Sequence, residues 1–120
     1  MKQTHLSSLG GTQGIGLCID LAQVIIVHGT EGNAINFLNQ LRESFDMPIL
    51  EWHLSDVAIN QNRVAVEVGK GRINWTKLLP SVVSCCRSIL IETLGGTKVF
   101  QRSRAHLESL VNNSSNEILL

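Results

Sequence analysis

The chain has 120 residues with ten basic and ten acidic side chains, so its formal charge is zero, and no basic tract or interleaved aromatic cluster offers a nucleic-acid surface. Charged residues make up only 17% against roughly 25% in an ordinary soluble domain, and 43% are apolar, a balance that implies surface hidden against another chain or a missing piece of the chain itself. The start MKQTHLSSLGG lacks an apolar signal-peptide core, and no run reaches the ~18–20 apolar residues of a membrane span, so a cytoplasmic location is expected. Cys18, Cys85 and Cys86 form neither an even disulfide framework nor a CxxC metal pair, which suits reduced thiols.

In chain order, residues 1–13 are polar and Gly-rich and read as a flexible lead-in. A folded domain is expected over 14–111, and 112–120 as a frayed tail. GIGLCID (14–20) reads as a first buried strand. The following LAQVIIVHGTEGN is ambiguous between strand and helix, and the reading adopted is a loop over the site, broken near Gly29 and Gly32. From Asn33 to about Phe45 the apolar positions Ala34, Phe37, Leu38, Leu41 and Phe45 lie on one helical face, and Pro48 marks the end. ILEWHL (49–54) is a second strand. Beyond it SDVAINQNRVAVEVGKGRI is a long irregular stretch in which VAVEV suits a small extra strand and GKG (69–71) a tight turn. Asn74 stands as the N-cap of WTKLLPSVVSCC, which Pro80 should shorten or bend. SILIET (88–93) is a third strand, Gly95-Gly96 a turn, and Val99 to about Val111 a last amphipathic helix.

The order β-α-β-α-β-α predicts an α/β fold of three βα units with parallel strands, in which chemistry gathers where strands hand over to the loops after them. Asp20, His53 and Glu92 each fall at or near such an end. Two carboxylates and an imidazole suit manganese, magnesium, cobalt or zinc and leave coordination positions open. Singly, each residue has a plainer role: Asp20 as a helix cap, His53 as a hydrogen-bonded core histidine, Glu92 as an ion-pair partner of Arg63. Asp56, three residues after His53, suits either a carboxylate that orients the imidazole or a turn former. Trp52 and Trp75 read as packing residues.

IGLCIDLAQ (15–23), EWHLSD (51–56), VGKGRINW (68–75) and ILIET (89–93), in this order, resemble the carboxyl-terminal part of the xylose isomerase-like TIM barrels, the superfamily of sugar isomerases, epimerases and endonuclease IV. The resemblance implies an incomplete barrel, since eight strands need roughly 250 residues. It implies a divalent-metal-dependent sugar isomerase or epimerase, with Asp20, His53 and Glu92 as metal ligands and Glu92 also exchanging the substrate proton. It further implies Gln23 and Arg63 at a sugar or polyol substrate, and Asp56 behind His53. Gln23 stands where the family commonly has a histidine, and Arg63 and Ala65 where endonuclease IV has an Asp-x-His pair, so an endonuclease IV remnant is the weaker alternative. Three strands covered on one side leave the barrel-facing side open. The chain is therefore expected to be truncated and inactive alone, to form a homo-oligomer, or to meet a complementing polypeptide; a non-catalytic interaction module is the remaining alternative.

Overall fold

The computed structural model describes residues 16–44, 47–84 and 88–113. The lead-in 1–13, Phe45, the Cys85-Cys86 pair and residues 114–120 of the expected tail lie outside the described residues. Three strands, β1 (Leu17–Asp20), β2 (Ile49–Leu54) and β3 (Ser88–Ile91), form a parallel sheet in the order β1-β2-β3. Four helices accompany them: α1 (Leu21–His28), α2 (Glu31–Ser44), α3 (Trp75–Val83) and α4 (Thr97–Asn113). This is the expected α/β arrangement of successive βα units around a parallel sheet.

Strand alternation sorts the sheet into two chemically different faces. Ile19, Trp52 and Leu54 point into one core with Leu21 and Ile25 of α1, Leu38 of α2, Leu78 and Val82 of α3 and Leu107 of α4. On the opposite face Cys18, Asp20, Ser88, Leu90 and Glu92 are exposed and Glu51 and His53 half-buried. All the helical packing thus serves one side of the sheet among the described residues. Cys18 pairs with Glu51, Asp20 with His53, and Leu54 with Ile91. The register slips between Leu17 and Cys18, so Leu50 is passed over; its side chain occupies the space that a β-carbon on Gly16 would need.

Four local expectations are corrected. The segment after Asp20 is a helix, not a loop: Asp20 caps it by accepting from the Gln23 N–H at 3.3 Å, and Gly29 closes it at φ +83°, its N–H on Ile25 O. Leu21, Ala22 and Ile25 bury one face, and that burial overrides the strand preference of Val24–Val27. Thr30 Oγ1 then accepts from the Asn33 N–H at 3.1 Å, so α2 begins two residues before the expected start and takes in Gly32. The VAVEV strand reduces to one antiparallel bridge between Asp56 and Val66. The last helix also runs longer than expected, through Asn113.

Asn74 caps α3 as expected, accepting from the Lys77 N–H at 3.2 Å. Pro80 lies inside that nine-residue helix, which ends three residues later at Val83. Alongside β3, the edge strand, runs an apolar groove of about 720 Å³ bordered by Ile89, Leu90, Phe100, Leu107 and Val111.

Candidate metal and catalytic face

β2 is the central strand, and its two outward polar residues sit between neighbours on both sides. His53 is gripped at both ring nitrogens: Nε2 lies 2.7 Å from Glu51 Oε2 and Nδ1 2.7 Å from Glu92 Oε1. Glu92 reaches the ring because the backbone continues past β3, its own N–H donating to Leu54 O at 2.9 Å. Glu51 is further held by Ser88, whose hydroxyl donates to Oε1 at 3.4 Å, and its Oε2 accepts a long 3.9 Å contact from the Cys18 thiol.

The charges follow from this geometry. The hydrogen bond to Glu51 is the main influence raising the His53 pKa; partial desolvation opposes it, and the Glu92 charge adds to it. Reciprocally, the bond from His53 holds the Glu51 carboxyl below its ordinary value. Desolvation first, then the Glu51 charge, push the Cys18 thiol up. A ring held between two carboxylates donates to both only as the imidazolium; neutral, it can satisfy one donor bond and must offer a lone pair to the other side.

Of the expected site residues, the structure brings His53 and Glu92 into contact and places Asp20 beside His53 in register while its carboxylate caps α1. Gln23 is exposed on α1, two residues beyond the start of that helix. Arg63 is exposed in the 55–74 loop, where its carbonyl accepts from the Ala58 N–H at 2.8 Å. Glu92 pairs with His53 and not with Arg63.

Asp56 does not orient His53. Fully buried, it accepts at Oδ1 from the N–H groups of Val57 (2.9 Å) and Ile73 (3.0 Å), and at Oδ2 from Gly69 N–H (2.9 Å) and the Trp75 indole N–H (2.9 Å). It organises the loop that leads from β2 to α3. The reason is position: Asp56 lies beyond the end of β2, where the chain has turned under the loop, while His53 faces the open side.

Glu51, Cys18 and Ser88 were missed as site residues. The signal was present, since each lies an even number of positions from an outward residue of its strand, and period two puts Cys18 with Asp20 and Glu51 with His53. A glutamate two residues before the histidine, in a strand otherwise of Ile, Leu and Trp, was itself the cue. Among the described residues, Cys18, Glu51 and His53 bring ligand atoms within 4.8 Å of one another, a grouping that includes His53 of the expected ligands and leaves Asp20 and Glu92 out.

No family model, curated protein or solved structure matches the chain. No helix among the described residues is long and apolar enough to cross a membrane.

Proposed function

We propose that the open face of the sheet is the site of a divalent-metal-dependent sugar isomerase or epimerase of the xylose isomerase-like kind, the three βα units serving as part of a barrel. The observation that carries this reading is the His53 imidazole held between two carboxylates on the uncovered face of a parallel sheet, close to the carboxyl ends of its strands. His53 and Glu92 stand in contact at 2.7 Å with solvent on the open side, and Asp20, next to His53 in register, would turn its carboxylate from the α1 cap to join them at a divalent ion. In this reading Asp20, His53 and Glu92 hold manganese, magnesium, cobalt or zinc, and the ion supplies polarisation of adjacent substrate oxygens.

The chain's own groups do the rest. Glu92, half-exposed just past β3, takes a proton from the carbon beside a carbonyl and returns it to the neighbouring carbon or the other face. Its bond to His53 fixes the carboxylate in one direction. Gln23 and Arg63, both exposed, supply hydrogen bonds to sugar hydroxyls. The sheet's open side is completed by a second copy or another polypeptide, which also excludes water. Solvent exchange into a panel of ketoses and aldoses, measured in D₂O with added manganese, tests the reading. Deuterium incorporation that disappears in Glu92→Gln supports it; none with any sugar by any oligomer of the chain removes it.

A second reading, a non-catalytic interaction module in a cytoplasmic assembly, is favoured by the apolar groove beside the edge strand β3. Light scattering with elemental analysis on the same chromatographic peak separates the two. A defined oligomer with about one ion per chain that Asp20→Asn loses favours the enzyme, and a metal-free complex favours the module.

A further inference from the structure

We propose that Cys18, Glu51 and His53 form a zinc site on the open face, with Glu92 as the carboxylate that orients the histidine. This site goes beyond the isomerase reading: it takes Cys18 and Glu51 as ligands in place of Asp20 and Glu92, and shares His53 as a ligand.

The placement comes from the sheet. Cys18 on β1 is the register partner of Glu51 on β2, and His53 is two residues further along the same face. Their ligand atoms converge, with Cys18 Sγ 3.9 Å and His53 Nε2 2.7 Å from the same oxygen, Glu51 Oε2. Zinc bonds of about 2.0–2.3 Å set tetrahedral neighbours roughly 3.3–3.8 Å apart. The sulfur–oxygen pair already stands near that spacing. The nitrogen–oxygen pair must open by about half an ångström, a small torsional adjustment of the half-exposed Glu51 side chain.

The surroundings support ligation at Nε2. Glu92 Oε1 faces Nδ1 at 2.7 Å, and a carboxylate there holds the tautomer whose Nε2 lone pair points at Glu51. Ser88 donates to Glu51 Oε1 and leaves Oε2 to the metal. Carboxylates of Glu51, Glu92 and Asp20 share this face with a single imidazole, so a dication in place of the Nε2 proton reduces a net negative charge. Thiolate, imidazole and carboxylate together select zinc, cobalt or cadmium over magnesium or calcium. Binding displaces the Cys18 thiol proton and, where the ring is protonated, the Nε2 proton, both to solvent. Three protein ligands leave a fourth position for water on the exposed side. A neutral imidazole has one lone pair, so zinc at Nε2 and a metal at Nδ1 exclude each other.

Cobalt(II) titration of the full chain carrying Cys85→Ser and Cys86→Ser, followed by zinc competition, tests the site. The expected result is one equivalent of cobalt with tetrahedral visible bands and a sulfur-to-cobalt charge-transfer band, all displaced by zinc. Cys18→Ser should remove the charge-transfer band and weaken zinc at least tenfold, and Glu51→Gln should weaken it comparably. Glu92→Gln should lower affinity by about 10–100-fold and keep the band. Circular dichroism confirms that each variant is folded; Cys18 is exposed, so its serine variant removes no core packing. A band that survives Cys18→Ser, or no binding by the folded chain at micromolar zinc, overturns the inference. Loss of metal in Asp20→Asn but not in Cys18→Ser overturns it while leaving the isomerase reading standing. Cobalt bound through Cys18 in a chain without sugar exchange upholds it while the isomerase reading falls.

Discussion

The Trp75 indole N–H donates to Asp56 Oδ2 at 2.9 Å, both groups buried, joining the first residue of α3 to the loop that follows β2. The same carboxylate collects three backbone N–H groups, from Val57, Gly69 and Ile73, so one side chain sets the path of the whole 56–75 connection. A buried carboxylate is tolerated because every one of these partners is a donor. Asp56→Asn is therefore expected to destabilise the chain by about 2–4 kcal/mol, since one acceptor oxygen becomes an amine facing N–H donors. Urea unfolding followed by tryptophan fluorescence measures it. A loss under about 1 kcal/mol would mean the network is relaxed in solution.

Gly71 is fixed by the same carboxylate. A β-carbon there would lie 2.2 Å from Val57 O and 2.4 Å from Asp56 Oδ1, backbone and buried network on both sides. Gly71→Ala should cost about 1–3 kcal/mol or more and disturb the loop's amide signals. Gly32, with open space where a β-carbon would go and a place inside α2, is the contrasting control. Gly32→Ala should stabilise by about 0.4–1 kcal/mol. Equal midpoints for the two variants would contradict the close approach at Gly71.

Strand positions were legible because apolar runs bounded by polar stretches have one good interpretation in a βα repeat. ILEWHL is a strand over its whole length, and the Asn74 cap held at residue level. The segment Leu21–His28 was illegible for a specific reason: its β-branched Val24–Val27 run speaks for a strand locally, while the Asp20 cap and the burial of Leu21 and Ile25 are decided by tertiary packing. At the site, strand-end positions pointed to His53 and Glu92, whose contact is present. Asp56 defeated the spacing argument because three residues past His53 the chain has left the strand, and sequence distance no longer says which side of the sheet a carboxylate reaches.

Asp20 has a capping role that can be tested apart from its charge. As the N-cap of α1 it accepts one hydrogen bond, from the Gln23 N–H. Asparagine caps as well as aspartate, so Asp20→Asn should change stability by only a few tenths of a kcal/mol, whereas Asp20→Ala should cost about 1 kcal/mol. Thermal unfolding of the two variants checks this. A large loss in Asp20→Asn would show that the charge, and not the cap, holds this strand end.

Between α4 and the loop, Glu67 and Arg102 pair through two N–H donors, the closest at 2.9 Å, but the guanidinium is well exposed. Such a pair contributes about 0–1 kcal/mol and weakens with salt. One residue on, Ser103 is fully buried and its Oγ accepts from the Val68 N–H at 3.0 Å. Ser103→Ala strands that N–H and should cost about 1–3 kcal/mol, independent of salt. Denaturation of Glu67→Gln and Ser103→Ala at low and high ionic strength measures both. The ranking reverses only if the ion pair, not the buried hydroxyl, docks α4.

His53 gives the chain a defined pH response in the presence of chelator. Its folded pKa is raised, first by the bond to Glu51, so its contribution to stability is complete below the unfolded histidine value of about 6.5 and is lost as pH rises through the raised folded value. Glu51 has a lowered folded pKa, so its contribution is complete above the unfolded value of about 4.3 and is lost as pH falls through the lowered one. The pair is therefore at full strength between those two unfolded values, and stability should decline on the alkaline side as the imidazolium loses the proton that lets it donate to Glu51 and Glu92 together. Titration of the His53 ring protons by NMR should place its midpoint above the ordinary histidine value, and Glu51→Gln should move that midpoint down. A midpoint unchanged by Glu51→Gln would show that Glu92 alone holds the ring, and would withdraw from Nε2 the partner on which both the pH response and the geometry of the open face depend.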